Sequence, residues 1–272
     1  MPNHLPTILS WAAAEGWNPG LEDAAAFLTS DPGGFFTHEA EDQPVAAISV
    51  VNHSDTFAFL GLYLCLPEYR GQGIGLALWN RAIRHAGSRT IGLDGVPDQQ
   101  ANYRKSGFIA AGKTVRWQGV LHGAGRSSAR AITPQDLPQI LSLDRQQTGF
   151  ERSKFQCSWF SKTNTRRTLV MVRDGKITAY GTIRKCVEGY KIGPFTAHSE
   201  GEATELLSGL AQAISADPIS IMVDIPAHAP ALSGMLAVRG FTPGFETARM
   251  YKGAAPTEKL ARFSAVATLE LG

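Results

Sequence analysis

The chain has 272 residues, room for one large domain or two of ordinary size. A hydrophobic content of 43% against 18% charged residues excludes a disordered chain and describes a folded protein. The formal net charge of +2 is too small to argue for nucleic acid as a partner.

Residues 5–15 read as a short helix, ended by the Glu15–Gly20 turn (EGWNPG), where Asn-Pro-Gly disfavours helix continuation. Leu21–Thr29 resumes an amphipathic helix, and Asp31-Pro32-Gly33-Gly34 turns again. Phe35–Ala40 and Val45–Val51 form a predicted hairpin across Glu41–Pro44. The apolar run Phe57–Leu66 is a buried strand that breaks at Pro67. A glycine-rich turn, Arg70-Gly71-Gln72-Gly73-Ile74-Gly75, then leads into a helix from about Gly73 to Ala86, with Ile74, Ala77, Leu78 and Ala82 at helical spacing. Thr90–Leu93 is a short strand and Pro97–Ser106 a short helix. Phe108–Gly119 supplies one or two strands broken by Gly112. Residues 123–130 read as a linker rich in Gly, Ser and Arg. Thr133, Pro134 and Asp136 then open a new helical unit. Turn and strand alternate from Ser158 to Phe195. Glu202–Ala213 is a helix, Ile219–Asp224 a strand, Pro230–Val238 a helix, and the last strands begin at Phe241. The fold class is α/β in the mixed α+β sense, with a central antiparallel portion.

The glycine turn is the chemically informative stretch. Glycines let backbone approach a ligand without a Cβ in the way, and the unpaired amides of a helix's first turn favour an anion. The turn therefore reads as a phosphate cradle. It is not a P-loop, since no Lys-Ser/Thr follows, and it lacks the Gly-x-Gly-x-x-Gly spacing of a dinucleotide fold. Residues 1–122 hold 8 Lys and Arg against 11 Asp and Glu, while residues 123–272 hold 18 against 13. Anion binding at the turn must then come from backbone amides and a few local cations. Cys65, Cys157 and Cys186 are scattered and unpaired in the sequence, as in a reducing compartment. His38, His53, His85 and His122 show no metal-site spacing, and no metal is expected. The opening residues lack a basic-then-apolar signal, and no apolar run approaches about 18 residues. A cytoplasmic chain with no membrane contact is expected.

The second half repeats the first. At an offset of 130 residues, Leu93-Asp94-Gly95-Val96 answers to Val223-Asp224-Ile225-Pro226. Lys105-Ser106-Gly107-Phe108 answers to Val238-Arg239-Gly240-Phe241 after a three-residue insertion, and an arginine, Arg116 or Arg249, follows each Gly-Phe at the same spacing. Opposite the glycine turn the second copy presents Glu200, Glu202 and Glu205. Carboxylates repel phosphate and can cap the helix amides themselves, so one cradle is expected and not two.

Arg70-Gln72-Gly73-Ile74-Gly75, with the preceding Pro-Glu-Tyr and the Asn102–Phe108 stretch, resembles the GCN5-related N-acetyltransferase (GNAT) superfamily. The likeness covers about residues 1–120. The whole chain is similar to a two-domain bacterial subgroup, with a catalytic domain at 1–122, a linker at 123–130 and a degenerate domain of the same fold at 131–272 that shapes the acceptor site. Each domain would carry a mostly antiparallel central sheet flanked by helices.

The resemblance implies acetyl-CoA in a V between the Phe57–Leu66 and Thr90–Leu93 strands. The pyrophosphate would lie on the amides of Gln72, Gly73, Ile74, Gly75 and Leu76, beside Gly71, and the pantetheine arm would pair with backbone at Leu64 and Leu66. A strand amide near Leu64 would polarise the thioester carbonyl. Tyr103 would give a proton to the departing thiolate, since a phenol is protonated at neutral pH. Asn102 would bond the cofactor or cap a turn, and Arg70 would reach phosphate or shape the loop. Asp94 is the candidate to bind or deprotonate the acceptor, with Tyr63, Glu22 and, across the cleft, Asp224 as further candidates; a water chain could also serve as base. The reaction so implied is direct acetyl transfer to the primary amine of a small molecule, by a monomer or homodimer. A protein or peptide acceptor, and a non-catalytic acyl-CoA sensor, stay open as alternatives.

Overall fold

The computed structural model describes residues 4–123, 125–214 and 218–272. The first half contributes α1 (Leu5–Ala14), α2 (Asp23–Ser30), β1 (Phe35–Ala40), β2 (Gln43–Asn52), β3 (Phe57–Cys65), α3 (Ile74–Ile83), β4 (Thr90–Gly95), α4 (Gln100–Lys105) and β5 (Ile109–Leu121). The second contributes β6 (Arg130–Ala131), α5 (Leu137–Thr148), α6 (Ser153–Trp159), β7 (Arg166–Arg173), β8 (Lys176–Lys185), β9 (Tyr190–Ala197), α7 (Glu200–Gln212), β10 (Ile219–Pro226), α8 (Pro230–Val238), β11 (Thr242–Lys252) and β12 (Phe263–Ala265). The architecture is mixed α+β. Its sheet is mostly antiparallel, with parallel pairing at β3–β4 and β9–β10.

The two copies do not build two sheets. One continuous sheet runs β1-β2-β3-β4-β11-β5-β10-β9-β8-β7-β6, and β12 pairs with β9. Leaving aside the short β6 at one end, that order reads the same from either end under the repeat, with β11 and β5 at its centre. Each copy has given its last long strand to the other: β11 pairs with β4 of the first half, and β5 pairs with β10 of the second. The repeat's landmark residues meet as a result. Asp94 lies opposite Arg249 and Asp224 opposite Arg116 across the exchanged strands. Both pairs are two-point contacts, at 2.8 and 2.9 Å for Asp94 and at 2.8 and 3.0 Å for Asp224. Such forked pairing is the strong form of a charge-assisted hydrogen bond.

Two cores lie under the helices that follow the parallel strands. Leu78, Trp79 and Ala82 of α3 pack on Ile48, Leu60, Ile91 and Phe108. Leu206, Leu210 and Leu236 of α7 and α8 pack on Ile221, Val223 and Phe241. A third core joins the halves, with Leu5, Ile8 and Phe27 against Phe155, Trp159 and Tyr180. Beside it Asp23, fully buried, accepts from Arg166 at 2.7 Å and Arg184 at 3.2 Å, and both guanidinium groups lie over the Trp159 ring. The Glu15–Gly20 turn is clamped to the second half. Asn18 bonds both backbone groups of Glu188, and the Trp17 carbonyl accepts from Arg116 and Lys191.

Three elements differ from the sequence reading. β5 is one strand, with register shifts against β11 beside Gly112 and between Val115 and Trp117. α6 lies almost wholly in a stretch to which the sequence reading gave no element, overlapping the reading that starts at Ser158 by two residues. The repeat offset is 126 at the helix starts, since the N-caps of α3 and α7 are Gly73 and Ser199, while it is 130 at the aspartates.

Candidate active site

β3 and β4 pair in parallel from Phe57–Thr90 as far as Leu60–Leu93 and no further. The cause is local. Against β2, the residues Gly61 and Leu64 face Ser49 and Ala47, so Leu62 and Tyr63 share the place opposite Ile48. This bulge holds Leu62 at φ 48°, a left-handed conformation rare for a leucine. The bulged strand bends from its neighbour, and the two open into a V. Beyond it, Gly71 and Gly73 take φ of 76° and 80°, with no heavy atom within 4 Å of where a Cβ would stand. Gly73 is the N-cap of α3, which has no side-chain cap, and the first bond into the helix is Ala77 N–H to the Gly73 carbonyl. The amides just before Ala77 are therefore a ready anion site at the mouth of the V.

Aromatic groups line the V. Tyr63 packs on Trp79 with ring centres 5.4 Å apart, and Trp79 stacks on Tyr103 at 5.7 Å. Gly75 leaves room for this, since a Cβ there would sit 2.8 Å from the Tyr63 hydroxyl oxygen. Burial and the neighbouring Tyr63 push the Tyr103 phenol well above its ordinary range, so it holds its proton at neutral pH. At the inner end is a cavity of about 40 Å³, bounded by Trp17, Leu62, Tyr63, Asp94 and Tyr103 from the first half and by Phe245, Thr247, Leu269 and Glu270 from the second.

The structure gathers Tyr63, Asp94 and Tyr103, together with the Gly71–Leu76 backbone, around this V. It reassigns several other residues. The Leu66 amide donates to Val45 at 2.9 Å and its carbonyl accepts from Tyr69, so Leu66 has no backbone group left for a pantetheine arm. By strand alternation Leu64 points toward β2 as well, which turns the Tyr63 and Cys65 backbone toward the open edge. Arg70 is exposed and bonded to the Cys65 carbonyl at 2.8 Å and Glu15 at 3.0 Å, not aimed at the helix amides. Gln72 donates its side chain to Glu68, and Asn102 donates to Gln99.

The acidic candidates change most. The Glu22 carboxylate accepts from both the Thr163 and Thr165 hydroxyls and the Thr165 amide, which hold it down at about 2; it brackets the two halves and does not line that cavity. Asp224 is bound to Arg116, with Lys191 3.8 Å away, and those cations outweigh burial to hold it at about 2. Asp94 does line the cavity, but its side chain is fully buried and gripped by Arg249. Burial pushes the Asp94 carboxyl up while Arg249 opposes the rise; the same pair holds Arg249 charged despite burial. An occupied carboxylate of this kind fixes a wall and is a poor free base. Glu270 was not anticipated. Its only sequence signal is the polar–apolar alternation Thr268-Leu269-Glu270-Leu271.

The corresponding place in the second half is closed by the chain itself. Ser199 accepts from the Glu202 amide, and Glu202 accepts from the His198 and Ser199 amides, a capping box that satisfies the α7 N-terminus. The β9–β10 pairing stops at Ile192–Val223, and β12 lies along β9 beyond it. Val266 N–H then donates to the Asp224 carbonyl at 3.0 Å. A Cβ on Gly193 would collide with the Val266 carbonyl oxygen, and one on Gly61 with that of Glu270. The segment 263–272 thus passes both glycines, filling the second V and walling the first.

Comparison with known proteins agrees with this geometry. Residues 4–108 match the description "Acetyltransferase (GNAT) family", and residues 140–262 match "Acetyltransferase (GNAT) domain". The chain is similar to a holothin acyltransferase of Pseudoalteromonas sp. (strain SANK 73390), 35% identical over 268 residues that cover 97% of this chain and 90% of the relative. It is 23% identical over 245 residues to an uncharacterised N-acetyltransferase of Bacillus subtilis (strain 168), covering 88% and 84% of the two chains. A solved putative acetyltransferase from Pyrococcus horikoshii shares the fold with a TM-score of 0.81 at 19% identity, over 100% of this chain and 94% of that one. A tandem GNAT protein from the clavulanic acid biosynthesis pathway shares it at 0.61 and 16%, over 95% and 97%. Fold and site define an enzyme that takes an acyl group from an acyl-CoA. The chain belongs to the GNAT family and is an N-acyltransferase with tandem domains of that fold.

Proposed function

We propose that this enzyme transfers the acetyl group of acetyl-CoA directly to the primary amine of a small molecule. The observation that carries the reading is the cavity at the inner end of the V. It is small, about 40 Å³, and Phe245, Thr247, Leu269 and Glu270 wall it from the second half. A bulky acceptor would have to pass that wall. The relative named for acylating holothin supports the same reading.

The donor supplies an activated thioester. The amides preceding Ala77 hold its pyrophosphate, and the Tyr63 backbone and the Cys65 amide, on the open edge of β3, take the pantetheine arm as a further strand; the Cys65 carbonyl is already held by Arg70. An amide on that edge donates to the thioester oxygen as negative charge develops there. The amine nitrogen bonds to the carbonyl carbon as the carbon–sulfur bond breaks, and Tyr103 gives its proton to the leaving sulfur. The attacking amine gives one proton to solvent, and the Tyr103 phenolate takes one back, so the enzyme ends the turnover in its starting protonation state. Burial pushes the Cys65 thiol up, away from the thiolate that an acyl-enzyme route would need.

The test is thiol release across a panel of amines with acetyl-, butyryl- and long-chain acyl-CoA. Turnover with acetyl-CoA and small amines is expected. Turnover confined to long-chain donors or to peptide acceptors would overturn the reading.

A further inference from the structure

We infer that Glu270 is the carboxylate that receives the acceptor amine. The inference rests on the amine-acceptor reading above. An alkyl amine arrives largely as an ammonium ion at neutral pH, given a pKa like that of lysine. It needs an anionic partner to hold it and to take or pass on its proton before attack. The acidic groups suggested by the sequence are committed: Glu22 to Thr163 and Thr165, Asp224 to Arg116, and Asp94 to Arg249.

Glu270 differs in each respect. It is buried, at 4% exposure, and lines the same cavity as Tyr63 and Tyr103. Among the described residues, no cation lies within ion-pair distance of it, and the hydrogen bond on its carboxylate comes from the neutral Thr268 hydroxyl. Arg116, Arg184 and Lys191 act on it through space, but each is held elsewhere, by Asp224, by Asp23, and by the Trp17 carbonyl. A buried carboxylate without its own cation is costly, and an incoming ammonium would relieve that cost.

The backbone around Glu270 is fixed. Gly61 makes room for its carbonyl, His53 donates to the Leu271 carbonyl at 2.8 Å, and Arg152 donates to the Gly272 carbonyl. Glu270 is thus held on a fixed segment of the second half, in the wall of a V built by the first.

The experiment compares wild type with Glu270→Gln and Glu270→Asp in steady-state acetyl transfer, with acetyl-CoA affinity measured by calorimetry. In Glu270→Gln, kcat/KM for the amine should fall roughly 10- to 100-fold while acetyl-CoA affinity stays within about twofold. Glu270→Asp should recover part of the loss. If Glu270→Gln proves insoluble, the same split is read on Glu270→Asp, which should still raise the amine KM. Unchanged amine kinetics in the soluble variant, or an equal loss of acetyl-CoA affinity, would overturn the inference. A wild-type protein that acetylates no amine would instead overturn the reading beneath it.

Discussion

Tyr103 and Asp94 show how differently two residues of one site can be read. Tyr103 could be placed on a short helix before a Gly-Phe stop from local sequence alone, while its role as the acid is what the family resemblance implied. Replacing it by Phe should lower kcat by roughly 100-fold or more, with acetyl-CoA affinity retained in a parallel titration. Asp94 was located correctly but its state was not legible, because its partner Arg249 is 155 residues away along the chain. His53 carries a further consequence of burial. Its imidazole is pushed down to about 4 from an ordinary 6.5, chiefly by desolvation. Between those values the unfolded chain binds a proton that the folded chain refuses, so stability must decline as pH falls through that window. Thermal melts should show a falling midpoint from about pH 6.5 towards 4, and His53→Gln should flatten that stretch.

Among the elements, the glycine turn and the helix after it carry the cofactor chemistry proposed above, and both were readable as a turn and a helix. Gly73 stands at φ 80° as the N-cap of α3, where an L side chain is strained by about 1–2 kcal/mol. Gly73→Ala should weaken acetyl-CoA binding roughly tenfold by shifting the first-turn amides, with a small drop in melting temperature; calorimetry and melts read the two effects separately. The second copy's failure to form such a cradle was readable in its glutamates, but the mechanism was finer than repulsion, since Glu202 in particular closes the helix end. α6 and β12 escaped notice for a physical reason. They have seven and three residues, and neither is long enough to show a period. β12 is nevertheless the element that occupies the second V.

In the whole molecule, the repeat was visible but the exchange of β5 and β11 was not. Periodicity says that a strand forms and not which sheet it joins, and both copies offer equivalent edges. The exchange makes each half incomplete alone. Residues 1–122 expressed without the rest should fail to give a folded monomer, because β4 and β5 would lose the β11 strand between them; circular dichroism and sedimentation would check this. Arg116→Leu, which removes the two-point partner of buried Asp224 and leaves it Lys191 at 3.8 Å, should cost about 3 kcal/mol in chemical denaturation while leaving the V in place. Function follows from the same asymmetry within symmetry: one copy keeps an open V and bare helix amides, and the other fills both with its own chain. Titration calorimetry with acetyl-CoA tests this most directly. One molecule bound per chain, weakened by Gly73→Ala, is the predicted result; two molecules per chain, or one whose affinity ignores that substitution, would contradict it.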